Sequence, residues 1–280
     1  HSEVSSIPPT IALAMTDSFF RGKIVIVTGS SNGIGRETAR MFAEKGAKVT
    51  ITGRNAETLT KTRDICIESG AATEDILEIV ADLESADTPQ RLVDGTVKAF
   101  GGIDVLVNNA GMFAAAQEAP VVRFDKTMNV NLRSVFVLTE MATPHLEKTR
   151  GAVVNVSSMA SLPFACQDLN YAVSKAALDQ LTVQLASKLI DKGVRVNSVN
   201  PGMVVTDIIR KAGAPPEMES AFWATGQDRK VVPLGRVGEP ADIAKLILFL
   251  ADRTQSEFIV GQRVVIDGGS VLKNVLLSMV

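Results

Sequence analysis

The sequence predicts an α/β protein, a single domain built on one doubly wound parallel sheet of seven strands. Three observations carry that expectation. Short β-branched runs alternate with longer stretches of helical period from Lys23 to about Asp267. The runs near the middle of the chain are apolar on both faces, as strands covered by helices on each side must be. No linker, internal repeat or low-complexity segment interrupts the alternation, so the 280 residues read as one domain although length alone would allow two.

The elements follow in order. Ile24–Val27 is the first strand, and after a glycine-rich turn comes a helical stretch, Arg36–Lys45, stopped by Gly46. Lys48–Thr52 is the second strand; Asn55 then caps a helix over Ala56–Glu68 that stops before Gly70. Ile76–Ala81 is the third strand, and the helix Thr88–Phe100 ends at Gly101-Gly102. Asp104–Val107 is the fourth strand, with a long helix near Phe124–Leu138 after it. Ala152–Val156 is the fifth, followed by a helix over Tyr171–Lys192 that ends at Gly193. Val194–Val199 and Arg263–Ile266 complete the sheet, joined throughout by right-handed crossovers. Between these last two strands, Met203–Gly238 fits neither period; it is rich in Pro, Gly and Met and carries the only tryptophan, Trp223. Long excursions of this kind are lids or substrate loops, the plain alternative being a surface insertion.

Composition excludes several functions. Hydrophobic residues make up 46% and charged residues 21%, enough for a sizeable core and unlike a disordered chain. With 29 Lys+Arg against 31 Asp+Glu, the net charge of -2 argues against a nucleic-acid partner. Two cysteines, Cys66 and Cys166, form no disulfide framework and no CxxC pair. The only histidines are His1 and His145, so no metal site is expected, nor a hydrolase that needs another histidine. No apolar run approaches the ~18 residues of a membrane span. Residues 1–20 have neither a basic n-region nor a long apolar core, and His1 is not an initiator methionine. They read as an N-terminal extension, native or left by cloning, with residues 21–280 as the domain and a cytoplasmic location expected.

The chemistry begins at Thr28-Gly29-Ser30-Ser31-Asn32-Gly33-Ile34-Gly35, between the first strand and a helix. Strand, glycine loop and helix in that order cradle a pyrophosphate, because the glycines let the backbone approach and the helix aims free N–H groups at the anion. The purely steric reading, a tight turn, needs the same glycines. The second strand ends in Thr52-Gly53-Arg54, where an NAD-selective site places Asp or Glu. No carboxylate occurs between Lys48 and Asn55; Arg54 is instead placed to pair with a 2′-phosphate. NADP(H) is therefore expected over NAD(H), by about ten- to a hundredfold for one charge-assisted bond worth roughly 1.5–3 kcal/mol.

The pattern Thr-Gly-x-x-x-Gly-x-Gly resembles the short-chain dehydrogenase/reductase family, a Rossmann fold. Further motifs extend the resemblance over about Lys23 to Ser270: Asn108-Asn109-Ala110-Gly111 after the fourth strand, Tyr171-Ala172-Val173-Ser174-Lys175, Asn200-Pro201-Gly202 after the sixth, and Asp267-Gly268-Gly269. The string is similar to tropinone-reductase-like and nematode members. The resemblance implies a nicotinamide-dependent oxidoreductase interconverting a carbonyl and a secondary alcohol. It implies cofactor contacts at Gly29, Ser31, Asn32, Gly33, Ile34 and Gly35, at Asp82 and Leu83, and at Asn109, Ala110 and Gly111. At the nicotinamide end it implies Pro201, Gly202, Val204 and Thr206.

The reactive residues come from the same source and from spacing. Tyr171 and Lys175, at i and i+4, share a helix face. A cation about 5 Å away, at an effective dielectric near 20, favours a phenolate by roughly 3 kcal/mol, about two pKa units. Tyr171, the only tyrosine, is thus expected as the general acid/base, with Lys175 lowering its pKa and binding the nicotinamide ribose. The family's carbonyl-polarising serine lies thirteen residues before the tyrosine, which selects Ser158 over Ser157. Asn131 is the fourth member, chosen over Asn129 by Asn-Leu-x-x-Val-Phe, and is implied to hold a water that links the lysine to solvent. Phe113, Phe164, Met203, Val205, Phe222 and Trp223 are candidate pocket walls for an apolar carbonyl or alcohol. The alternative class is a non-catalytic NADP(H) sensor, which would not need to keep both Tyr171 and Lys175. Finally, the helix from Tyr171 is apolar nearly all round, with Val173, Ala177, Leu181, Leu185 and Leu189 continuing the face, so a homotetramer or dimer is expected. The plain alternative covers that face with residues 203–238 of the same chain.

Overall fold

Seven parallel strands lie in the order β3-β2-β1-β4-β5-β6-β7 in a computed structural model, which describes residues 19–114, 117–163, 166, 168–213 and 215–273. They are β1 (Ile24–Val27), β2 (Lys48–Gly53), β3 (Ile76–Val80), β4 (Val105–Asn108), β5 (Ala152–Val156), β6 (Arg195–Pro201) and β7 (Arg263–Ile266). The order reverses between β1 and β4, so the crevice at their carboxyl ends is the place where an open α/β sheet binds ligand.

Strand alternation sorts the core into two layers. Val25 and Val27 face one layer with Phe42, Ile51, Leu59 and Ile247, whereas Ile26 faces the other with Leu106, Leu138, Val153 and Leu189. The first layer lies under α1 (Gly33–Glu44), α2 (Ala56–Glu68) and a later helix, Pro240–Ala251. The second lies under α3 (Thr88–Phe100), the rod formed by α4 (Pro120–Met128) and α5 (Ser134–Thr149), and α6 (Leu169–Leu189). Helix α4 runs through one π-helical turn, Asn129–Arg133, into α5.

Several boundaries differ from those the sequence predicts, each for a local reason. Helix α1 starts at Gly33, three residues before Arg36, because Asn32 adopts an extended cap conformation. Helix α6 starts at Leu169, because the Asp168 carboxylate caps it by accepting from Tyr171 N at 2.8 Å. Its last predicted turn, Ile190–Lys192, is 3-10 helix before the left-handed Gly193. Phe19 and Phe20, placed with the N-terminal extension, belong to the fold: the Phe20 ring is buried edge-on against Phe42, 4.9 Å between centroids. Within the stretch 203–238 lie α7 (Ile208–Lys211) and α8 (Pro216–Thr225), and the helix Pro240–Ala251, now α9, packs on α1. Among the described residues no helix is long and apolar enough to cross a membrane.

Candidate active site

One cavity of about 950 Å³ opens along the carboxyl edge of the sheet, near the upper end of the usual range for small-molecule sites. All the sequence-predicted cofactor contacts line it: the loop residues Gly29 to Gly35 named above, Arg54, Asp82, Leu83, Asn109, Ala110, Gly111, Pro201, Gly202, Val204 and Thr206. Ser158, Tyr171 and Lys175 line it as well.

The glycine loop is packed so closely that side chains have no room. A Cβ at Gly35 would fall on Asn109 Nδ2 and on the Gly29 carbonyl, and one at Gly53 would fall on Ser31 Oγ. Asn109 ties this loop to β4, its Nδ2 donating to the Thr28 carbonyl at 2.8 Å, while Thr28 Oγ1 accepts from Asn109 N and Ala110 N, both at 3.0 Å. Ser31 Oγ is buried without a hydrogen-bond partner, so an unmet donor sits beside the end of β2. These features fit a nucleotide pyrophosphate and its ribose. Gly29 to Gly33 also spells Gly-x-Ser-x-Gly, the pattern of a hydrolase nucleophile elbow. Among the described residues no histidine lines the cavity beside Ser31.

At the other end of the cavity Ser158 and Tyr171 line the wall together, and Ser158 Oγ accepts from Ala160 N at 3.1 Å. Ser157 points away and donates to the Lys175 carbonyl at 3.2 Å, as strand alternation requires. Phe113 stacks on the Tyr171 ring, 3.8 Å between centroids at 20°. Lys175 Nζ donates to the Val156 carbonyl at 2.8 Å and lies 5.6 Å from the Tyr171 ring centre. The lowering of the tyrosine pKa by Lys175 that the spacing predicts is opposed by burial. Burial pushes the Tyr171 phenol above its ordinary value, and the neighbouring Ser158 hydroxyl opposes this. Burial also pushes the lysine itself down, to about 8, so the dry pocket disfavours both charges.

Asn131 sits behind the cavity wall, fully buried in the π-helical turn. Its Oδ1 accepts from Met112 N at 2.8 Å, and its Nδ2 donates to the Met112 carbonyl and to Ser174 Oγ, both at 3.0 Å. The side chain therefore fixes the Gly111-Met112 wall beside Lys175. Asn129 is turned elsewhere, toward the Glu84 carbonyl at 3.4 Å.

The pocket walls agree with the sequence in part. Phe113, Met203, Phe222 and Trp223 line the cavity. Val205 does not: the bridge between Val204 and Gly238 sends Val204 and Thr206 inward and Val205 to solvent. Phe164 lies outside the described residues. Sequence reasoning missed Cys166, Asp168 and Lys211, which also line the cavity; their loops carry no periodic signal, although Asp168 precedes a helical run as a cap would. On the outer face, Leu185 and Leu189 are buried in their own chain, not on an outward stripe. The exposed apolar side chains there are Leu169, Val173, Val121, Val122, Phe124 and Phe136.

A glycine cradle at the switch point and a Ser-Tyr-Lys cluster across the same cavity define a nicotinamide-dependent oxidoreductase. The comparisons agree. A family model described as enoyl-(acyl carrier protein) reductase matches residues 29–271. The chain is 36% identical over 260 residues to a 3-oxoacyl-[acyl-carrier-protein] reductase of Thermotoga maritima, covering 90% of this chain and 98% of that one. It is 33% identical over 260 residues to L-fucose dehydrogenase of Bos taurus, covering 90% and 91%. Two solved Caenorhabditis elegans structures are each 44% identical over 90% of this chain. One is a short-chain dehydrogenase/reductase of unknown function with cofactor, TM-score 0.87, covered to 96%; the other is a glucose dehydrogenase, TM-score 0.79, covered to 99%. The chain belongs to the short-chain dehydrogenase/reductase family, whose members bind a nicotinamide cofactor.

Proposed function

We propose that the protein is an NADP(H)-dependent oxidoreductase that interconverts an apolar carbonyl compound and its secondary alcohol. The observation that carries this reading is the gathering of Ser158, Tyr171 and Lys175 in one cavity with the glycine cradle. When bound, the nicotinamide would supply or take up the hydride. Ser158 orients the substrate oxygen and stabilises the charge that grows on it. Tyr171 hands its proton to that oxygen in reduction and recovers it in oxidation; burial keeps the phenol protonated at neutral pH, the form a proton donor needs. Lys175, with donors beyond the one spent on Val156, holds the nicotinamide ribose. Asn131 acts through the Gly111-Met112 backbone as a positioning residue. Arg54, exposed at the end of β2, selects the 2′-phosphate.

The reading extends to the whole molecule. The described residues from Phe19 to Lys273 belong to one catalytic domain, the stretch 203–238 closes over an apolar substrate, and the location is cytoplasmic. The exposed apolar side chains of α4, α5 and α6 meet a second copy, giving a homotetramer or a dimer. Light scattering at micromolar concentration tests the assembly: a single species near 30 kDa would contradict it. A panel of ketones, aldehydes and quinones, followed by loss of NADPH absorbance, tests the activity. Turnover of at least one apolar carbonyl, at higher kcat/KM with NADPH than with NADH, is expected. A protein that binds NADPH but turns over no member of the panel would favour a non-catalytic sensor.

A further inference from the structure

The adenosine end of the cavity gathers more positive charge than one arginine supplies. Arg54, at the end of β2, and Lys211, the last residue of α7, line the same cavity. Neither has a carboxylate partner within ion-pair distance among the described residues. The acidic side chain in the same helix turn, Asp207, is engaged elsewhere: it accepts from Asn32 Nδ2 at 2.9 Å and pairs with Arg210. Partial desolvation holds Lys211 below the ordinary lysine range; Asp207 pulls it up, and the smaller effects of Arg54, Arg210 and Arg36 push it down. Like charges gathered on a cavity wall, with the nearest carboxylate already engaged by Asn32 and Arg210, create a field that an anion would satisfy.

A second observation points to the same ligand. Ser31 is nine-tenths buried, and its Oγ has no partner. Its position is marked by Gly53, whose missing Cβ would occupy the same space, so the unmet hydroxyl lies at the end of β2 beside Arg54. The loop that carries Lys211 is fastened to the phosphate cradle through the Asn32–Asp207 bond, and a Cβ on Gly33 would come within 3.0 Å of Thr206. From that anchor α7 rises one turn, about 5.4 Å, to Lys211.

We propose that Lys211 is a second specificity residue for the cofactor's 2′-phosphate, so that the phosphate read by Arg54 also draws down the first helix of the substrate loop. This inference rests on the NADP(H) reading. It makes the loop a cofactor sensor: Met203, Phe222 and Trp223 are carried by the same excursion that the phosphate engages.

The test uses the full chain with 2′,5′-ADP and 5′-ADP, neither of which takes part in hydride transfer. Affinities are measured by calorimetry, and loop movement by the emission of Trp223, the only tryptophan. The wild type should bind 2′,5′-ADP more tightly than 5′-ADP and change its tryptophan emission with the former. Lys211→Met should weaken 2′,5′-ADP about five- to tenfold, suppress the emission change and leave 5′-ADP affinity unaltered. Lys211→Arg should restore both effects. Arg54→Ala should lose 2′,5′-ADP affinity by at least as much. If Arg54→Ala loses the preference while Lys211→Met keeps wild-type affinity, the NADP(H) reading stands and the role of Lys211 is refuted. Equal weakening of both ligands by Lys211→Met would also refute it, since the lysine would then act on the shared 5′-diphosphate. A wild type without preference for 2′,5′-ADP would overturn the cofactor reading and this inference together.

Discussion

Asp168→Ala probes how the fold delivers Tyr171 to the cavity. The Asp168 carboxylate caps α6 by accepting from the Tyr171 amide at 2.8 Å and pairs with Arg123 of α4 at 3.0 Å. Removing a capping carboxylate costs about 1 kcal/mol, within a range of 0.5–2. The ion pair is three-quarters buried, with side-chain exposures of 25% and 24%, so leaving Arg123 unpaired adds about 1 kcal/mol beyond the value of a surface pair. The sum, about 2 kcal/mol, lowers the melting temperature by roughly 3–4 °C in a chain of this size. Asp168→Asn keeps the cap and loses the charge, so it should recover about half of that loss. Thermal melts followed by far-ultraviolet circular dichroism read both values. Arg123→Ala, combined in a double-mutant cycle, should return a coupling of about 1 kcal/mol. An Asp168→Ala protein that melts within about 1 °C of wild type, or an Asn variant as damaged as the Ala one, would refute this account.

Other expectations are equally direct. Arg54→Asp should move the NADPH-to-NADH ratio of kcat/KM at least tenfold toward NADH, because it removes the phosphate partner and adds a repelling charge; an unchanged ratio would contradict the assignment. Lys175, held down to about 8 in the fold, should make stability depend on pH. Between about 8 and about 10.4 the unfolded chain holds more protons than the folded one, so wild-type stability should rise through that window relative to Lys175→Met. Parallel denaturation curves across it would show that the lysine is not desolvated. Phe42→Ala removes a fully buried ring that packs against Phe20 and should cost about 3–5 kcal/mol in urea unfolding.

Strand β1 shows why so much of the sheet was readable. Val25 and Val27 serve one core layer and Ile26 the other, and such two-sided burial leaves a continuous β-branched run in the sequence. The glycine loop was readable because close approach admits one residue type, as Gly35 illustrates. Electrostatics was not. Spacing puts Lys175 near Tyr171, but the outcome depends on burial that only the folded walls, including the stacked Phe113, supply. Asn131 shows the same limit, because its partners, Met112 and Ser174, come from different segments. The α9 helix had no assignment, and α7 and α8 lie in a stretch whose short apolar groups mix helical and turn signals. Lys211 was invisible for that reason: nothing in its neighbourhood sets it beside Arg54 until the loop folds over the cradle.

The central claim is that Tyr171 passes the proton, and Tyr171→Phe tests it most directly. Phenylalanine keeps the ring that stacks on Phe113 and removes the hydroxyl that would pass the proton. Turnover of the carbonyl found in the NADPH screen should fall by about 10²–10⁴-fold, while NADPH affinity, measured by calorimetry, stays within about twofold of wild type. Near-normal turnover in this variant would contradict the account, since the chain has no second tyrosine to take over.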